Sequence, residues 1–203
     1  MVNHPDVDAW EAWHPSRLAE RLRDLRVPWY VAAGWSVDLF RGEQTRAHED
    51  LEIAVPAAHF ALLPPLFPEL DFWVPAGEGV LVPLTPETLA GDSHQTWAWD
   101  RAAGRWRFDV FREPHDGDVW ICRRDEQRIR RPYREIIRRT DEGIPYLAIE
   151  AVLLFKAKHT RDKDEADFIG VLPLLSPAER GWLDATLGLV HPDHPWRAQL
   201  RPC

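Results

Sequence analysis

Cysteine is scarce in this 203-residue chain. Cys122 and Cys203 lie far apart and without metal-ligand spacing, which excludes a disulfide framework and leaves both as reduced thiols of a cytosolic protein. No stretch reaches membrane-spanning length, and Met1 to Trp10 is polar and acidic with no basic patch leading into an apolar run. The expectation is a soluble, unexported, cytoplasmic protein. Internal repeats and low-complexity linkers are lacking. So are a glycine-rich Walker loop, a nucleophile elbow and a recognisable Ser, His, Asp order, so covalent nucleophilic catalysis has no support. Basic charge is outnumbered, with 25 Lys and Arg against 33 Asp and Glu, a net charge of -8. An acidic body repels phosphate unless its basic residues gather on one face, which argues against general nucleic-acid binding and leaves room for a cationic small-molecule substrate.

What is present reads as alternating strands and helices. Leu18, Leu22 and Leu25 recur at helical spacing after Pro15, with Ser16 as a cap. Trp29 to Ala33 reads as a short buried strand stopping at Gly34, and Ser36 to Arg41 as a short helix terminated by Gly42. Leu51, Ile53 and Val55 alternate with Asp50, Glu52 and Ala54, the period of a strand with one buried face, ended by Pro56. A short helix near His59 to Leu66 precedes loops and brief strands. Gln95 to Trp99 and Trp106 to Phe111 form a hairpin about Gly104, in which Trp97 and Trp99 oppose Trp106 and Phe108 in a simple register. Leu147 to His159 is a strongly apolar helix after Pro145, and Lys163 to Leu189 reads as two helices parted near Ser176 and Pro177.

The chemistry concentrates in the acids. Side chains two residues apart on a strand share a face, so Asp50 and Glu52 project together. Like charges held that close repel unless a cation sits between them, and magnesium fits, because it takes one or two carboxylates and completes its shell with water and phosphates. Asp109, in a strand where acids are unfavoured, can join the same face as a metal ligand or as a general base. The competing reading of such an acid, apolar, acid pattern is a solvated sheet edge.

The run Ala33, Gly34, Trp35, Ser36, Val37, Asp38, followed by Gly42, Thr45, Arg46, His48, Asp50, Leu51, Glu52 and Ile53, resembles the signature of the nucleotidyltransferase superfamily, and is most similar to its aminoglycoside and lincosamide branch. The resemblance implies a phosphate turn at Gly34, with Trp35 and Ser36 beside it, Asp50 and Glu52 as magnesium ligands, and Asp109 as ligand or base. Two departures stand out: Ala33 replaces the first glycine of the turn, and Glu52 the second aspartate of the metal pair.

Other residues carry weaker signals. Lys158 and Lys163 could reach a triphosphate, although with Arg161, Asp164 and Asp167 they also read as i, i+4 pairs on an exposed helix. The arginines from Arg123 to Arg139 could line a phosphate site, but a solvated face interleaved with acids is the simpler reading. His48 could orient a carboxylate or touch substrate, although a histidine at a loop-to-strand junction is more often an ordinary surface residue. His191 and His194, with proline between them, do not make a zinc site.

The expected fold is α/β (α+β): a mixed sheet with helices on one face and the acidic site on the other, residues 1–120 forming the core and 121–203 a mainly helical C-terminal region. The expected activity is magnesium-dependent transfer of a nucleoside monophosphate, AMP from ATP by resemblance, to a hydroxyl of a small molecule. The alternatives are a silent nucleotide- or protein-binding module and a toxin acting on RNA or protein.

Overall fold

The computed structural model describes residues 4–77, 79–91 and 93–201, so Met1 to Asn3 and Cys203 lie outside it. An N-terminal strap leads into helix α1 (Pro15–Arg21), which is capped by His14 through Nδ1 rather than by Ser16, with Pro15 in the first turn. Proline suits that position because its missing N–H has no helical partner there. Strand β1 (Tyr30–Val31), helix α2 (Ala33–Arg41) and strand β2 (Glu52–Pro56) follow. Two 3-10 turns, Ala57–Leu62 and Pro64–Leu66, lead to strands β3 (Leu70–Pro75) and β4 (Leu81–Pro83), helix α3 (Pro86–Leu89), and the hairpin β5 (Gln95–Asp100) and β6 (Arg105–Glu113).

Beyond the hairpin come β7 (His115–Asp116), β8 (Val119–Ile121), β9 (Arg130–Pro132), helix α4 (Tyr133–Ile136), β10 (Ile137–Arg139) and β11 (Pro145–Leu147). The chain ends in helices α5 (Ile149–Lys156), α6 (Asp162–Val171), α7 (Pro177–Val190) and α8 (Trp196–Leu200).

The main sheet runs β10-β11-β1-β2-β6-β5-β3-β4, and β7-β8-β9 form a small second sheet. In the main sheet β1 pairs with β11, and β2 with β6, in parallel; the remaining neighbours are antiparallel. The C-terminal region therefore begins in strands with one short helix, α4, among them; two of the strands complete the core sheet, and the region is mainly helical from Ile149.

Both faces of the sheet are covered. Val31, Leu51, Ile53, Val55, Phe108 and Val110 pack on Leu18, Leu22, Phe60 and Phe67 on one side. Tyr30, Ala32 and Ala54 pack on the other side against residues of α5, α6, α7 and α8, among them Val152, Phe168, Leu187 and Trp196. This corrects two expectations. The strand carrying Glu52 has no solvated face, since Ala54 is fully buried. Because side-chain parity puts Glu52 with Ala54 and Asp109 with Phe111, the acids share the face of the C-terminal helices rather than the opposite one.

In the β5–β6 hairpin, Ala98 pairs with Phe108 but Trp99 with Trp106, so Arg107 is an extra residue in a β-bulge. The bulge brings Trp106 against Trp97 and Trp99, at 5.4 and 4.7 Å between ring centroids, as a simple register also would. It sends Phe108 to the other face, where it meets Trp13 and Phe67. The strap docks on the bulge: Trp106 N–H donates to the Ala9 carbonyl (2.9 Å), Glu11 N–H to the Trp106 carbonyl (3.1 Å) and Trp13 N–H to the Arg107 carbonyl (3.0 Å).

Candidate active site

Glu52 at the start of β2 lies directly beside Asp109 of β6 in the parallel ladder. Asp50 stands two residues before Glu52, exposed, just outside the strand. Asp109 is buried; its Oδ2 accepts from Gln95 Nε2 (2.5 Å), while its Oδ1 is buried without a partner. Burial pushes the Asp109 carboxyl up to about 7, with Asp50 adding repulsion. Burial, then Asp50 and Asp109, push Glu52 up to about 8. Two carboxyls with raised pKa values, Glu52 and Asp109, and one orphaned oxygen fit a cation. The row of Asp50, Glu52 and Asp109 is open rather than a closed cage, since among the described residues no three His, Cys, Asp or Glu side chains converge tightly enough to hold an ion alone.

The turn before the acids is built differently from the expectation. Helix α2 starts at Ala33, so Gly34, Trp35 and Ser36 all belong to it. Ala33 has φ +50°, a left-handed conformation that the absent glycine would adopt without strain. Ala33 and Gly34 line the cleft, where the free amides of a helix's first turn favour an anion. A Cβ on Gly34 would collide with Arg46 Nη2 and come within 3.0 Å of His48 Nδ1.

Ser36 is buried and its hydroxyl donates to the Val31 carbonyl (2.7 Å), so it serves the fold rather than a phosphate. Trp35 faces a separate hollow beside His14 and Tyr146, outside the cleft. Its Nε1 donates to the Asp50 carbonyl (3.2 Å), and its ring stacks on His48 at 4.3 Å. His48 Nε2 meets Asp38 Oδ2 at 2.5 Å, and Asp38 Oδ1 accepts from Thr45 N–H and Oγ1 at 3.1 and 2.6 Å. Burial lowers the His48 pKa against the pull of Asp38. His48 thus orients a carboxylate, as one of its readings had it, and the network fixes the loop that delivers Asp50.

Asp50 and Glu52 line two cavities, and Asp109 lines one of them. The first, of about 710 Å³, runs between the sheet and α5–α6, and its wall carries more bases than acids: Arg46, Arg123, Arg124, Lys156, Lys158, Arg161 and Lys163 against Glu49, Asp50, Glu52, Glu113 and Asp164. Lys158 and Lys163 are exposed there and form no ion pair among the described residues. Lys156 is buried between Asp164 (2.7 Å) and Asp167 (2.9 Å), and Arg161 also grips Asp164 (2.8 Å). Arg123 pairs with the buried Glu113 (3.1 Å). Burial first, and then Arg123, Arg112 and Arg124, push His94 down to about 4.

Lys156 is not singled out by the sequence, whereas Arg123 and Arg124 are, in a run that could line a phosphate site but reads more simply as a solvated face. The two arginines open the arginine-dense run immediately after β8, and adjacency to a strand end was the available signal. The other cavity, of about 530 Å³, is lined by Asp8, Glu49, Asp50, Glu52 and Asp109 together with Val7, Trp10, Val80, Leu81 and Trp97, and by no Lys, Arg or His among the described residues.

Away from the site, burial pushes the Cys122 thiol up to about 11, which leaves it inert. Among the described residues no helix is long and apolar enough to cross a membrane.

The fold is similar to that of solved nucleotidyltransferases. A family model described as aminoglycoside-2''-adenylyltransferase matches residues 16–74, from α1 to β3. The solution structure of the antibiotic-resistance factor ANT(2'')-Ia aligns with a TM-score of 0.57 at 12% identity, covering 92% of this chain and 95% of that one. A crystal structure of ANT(2'')-Ia with adenylyl-2''-tobramycin aligns at 0.55 and 12%, covering 84% and 92%. The lincomycin-bound lincosamide antibiotic adenylyltransferase LnuA aligns at 0.52 and 16%, covering 75% and 90%. No curated protein sequence matches the chain. Within the nucleotidyltransferase fold, the chain resembles the aminoglycoside and lincosamide branch, by sequence over its first third and by architecture over most of its length.

Proposed function

We propose that the protein is a nucleotidyltransferase that moves a nucleoside monophosphate from a triphosphate to a hydroxyl of a small, positively charged molecule. The observation that carries this reading is the carboxylate row Asp50, Glu52 and Asp109, whose first two members line both a mainly basic cleft and an acidic cavity. Asp50 and Glu52 would hold magnesium, which when bound supplies charge neutralisation at the phosphates, and Asp109 beside them is left as the base. Lys158, Lys163 and Arg161 meet the triphosphate's negative charge from the helical side, and the first-turn amides at Gly34 meet it from the sheet side.

In the transfer, the acceptor oxygen bonds to the α-phosphorus as the bond from that phosphorus to the bridging oxygen breaks. Pyrophosphate leaves, and the hydroxyl proton passes to the carboxylate of Asp109. The orphaned Oδ1 and the pKa of about 7 suit Asp109 to that role. ATP is the proposed donor, on the likeness to proteins named as adenylyltransferases.

Calorimetric titration of the parent chain with ATP and magnesium tests the site. Metal-dependent binding that disappears in Asp50→Ala, with the melting temperature kept, supports it; binding unchanged by that substitution would remove it. Turnover is read as pyrophosphate release across a panel of cationic hydroxyl compounds, with Asp109→Asn lowering the rate at least ~100-fold. Metal-dependent ATP binding with no release on any compound would favour a nucleotide-binding module instead.

A further inference from the structure

We propose that the acidic cavity recognises an amphipathic cation, one positive group joined to a planar or apolar body, through Trp10 and Trp97 together with Asp8 and Glu49; its role as the acceptor pocket rests on the function proposed above. Three observations carry it. The cavity's charge is of one sign: Asp8 and Glu49 are exposed in its wall, form no ion pair among the described residues, and have no Lys, Arg or His beside them in the lining. The remainder of the wall is apolar, with Trp10 and Trp97 meeting edge to face at 5.1 Å and 68° to make an aromatic corner, and Val80 half exposed. At the base, Asp109 Oδ1 is buried without a partner.

A polyamine would satisfy the carboxylates but leave the indole faces against water. A neutral planar molecule would cover the indoles but desolvate unpaired carboxylates. A single cation on an apolar frame satisfies both, since indole faces attract cations as well as apolar surface. Asp8, Trp10 and Trp97 lie outside the stretch matched by the family model, Asp8 and Trp10 on the N-terminal strap, whereas Glu49 lies within it. The strap is held by its backbone on the β6 bulge and by Trp106 Nε1 donating to the Asp6 carbonyl (2.7 Å). Its path therefore does not depend on the Trp10 side chain.

The test is an NMR titration, following indole N–H signals, of the full chain with benzyltrimethylammonium, and separately with tetramethylammonium, benzyl alcohol and spermidine. Benzyltrimethylammonium is expected to bind roughly 5- to 10-fold tighter than either half-molecule, and Trp10→Leu or Trp97→Leu to remove that advantage. Asp8→Asn, an exposed substitution that leaves the fold untouched, is expected to weaken it by about 2- to 5-fold. Tightest binding by spermidine, indifference to Trp10→Leu and Asp8→Asn, or no shift with any probe would each overturn the inference. ATP and magnesium are titrated into the same variants. Parent-like nucleotide binding beside a failed cation series sinks this inference alone. Loss of nucleotide binding in the parent sinks the proposed reaction while leaving the cation result to stand or fall by itself.

Discussion

Ala33 holds a left-handed φ of +50° at the start of α2, where an L side chain costs about 1–2 kcal/mol. Replacing it with glycine removes that strain and adds about 0.4–1 kcal/mol of unfolded-chain entropy, so Ala33→Gly should stabilise the protein by roughly 0.5–1 kcal/mol in urea denaturation. Its neighbour behaves oppositely. Gly34→Ala drives a Cβ into Arg46 and into His48, which Asp38 and Trp35 hold in place, and should cost about 1–3 kcal/mol. The acids give a pH signature of their own. Glu52 and Asp109 have folded-state values of about 8 and about 7, above those of an unfolded chain, so the folded protein keeps protons that the unfolded chain has released. Metal-free stability should therefore fall by several kcal/mol as pH rises from about 4 to 8, and Glu52→Gln or added magnesium should flatten the slope. Denaturation midpoints at pH 5 and 8, with and without magnesium, read it directly.

At the scale of elements, α6 is pinned to α5 by Lys156 between Asp164 and Asp167. Burial alone would raise Asp164, but hydrogen bonds from Arg161 and Lys156 outweigh it and hold the carboxyl well below the usual range. Its contribution is present above the unfolded value and lost as pH falls through about 4 and below. Asp164→Ala leaves a buried ammonium short of a partner, and should cost about 3–5 kcal/mol by thermal or chemical denaturation at pH 7. The elements most legible in the sequence were those with a periodic pattern or a cap, such as β2, the β5–β6 hairpin, α5, and α7 with Ser176 and Glu179 in a capping box. The illegible ones owe their form to partners distant in sequence. The strand at β1 reads over Trp29 to Ala33 in the sequence, but its trimming to Tyr30–Val31 between β2 and β11 was not legible, and neither was the bulge at Arg107, where Asp100 accepts from the guanidinium at 3.1 Å. Within the site, Glu52 beside Asp109 could be anticipated from strand parity. The structural duties of Trp35 and Ser36 could not, since they depend on where α2 begins and on the carbonyls of Asp50 and Val31.

For the whole molecule, a net charge of -8 conceals a division of sign across the carboxylate row, basic on the helical side and acidic on the strap side. Salt should therefore weaken nucleotide binding, because a triphosphate is drawn by a cleft and not by the molecule's overall charge. The sheet likewise ignores the boundary suggested by composition. A fragment of residues 1–120 lacks β10 and β11 and leaves β1 with an open edge, so it should show no cooperative unfolding transition by circular dichroism. The same strand order bears on synthesis. Asp50, Glu52 and Asp109 leave the ribosome well before β11 arrives to close the edge of β1, and before α5 and α6 supply the lysines facing them. A growing chain therefore displays its acids long before it has anything with which to grip a nucleotide, and ligand capture becomes a property of the finished polypeptide alone.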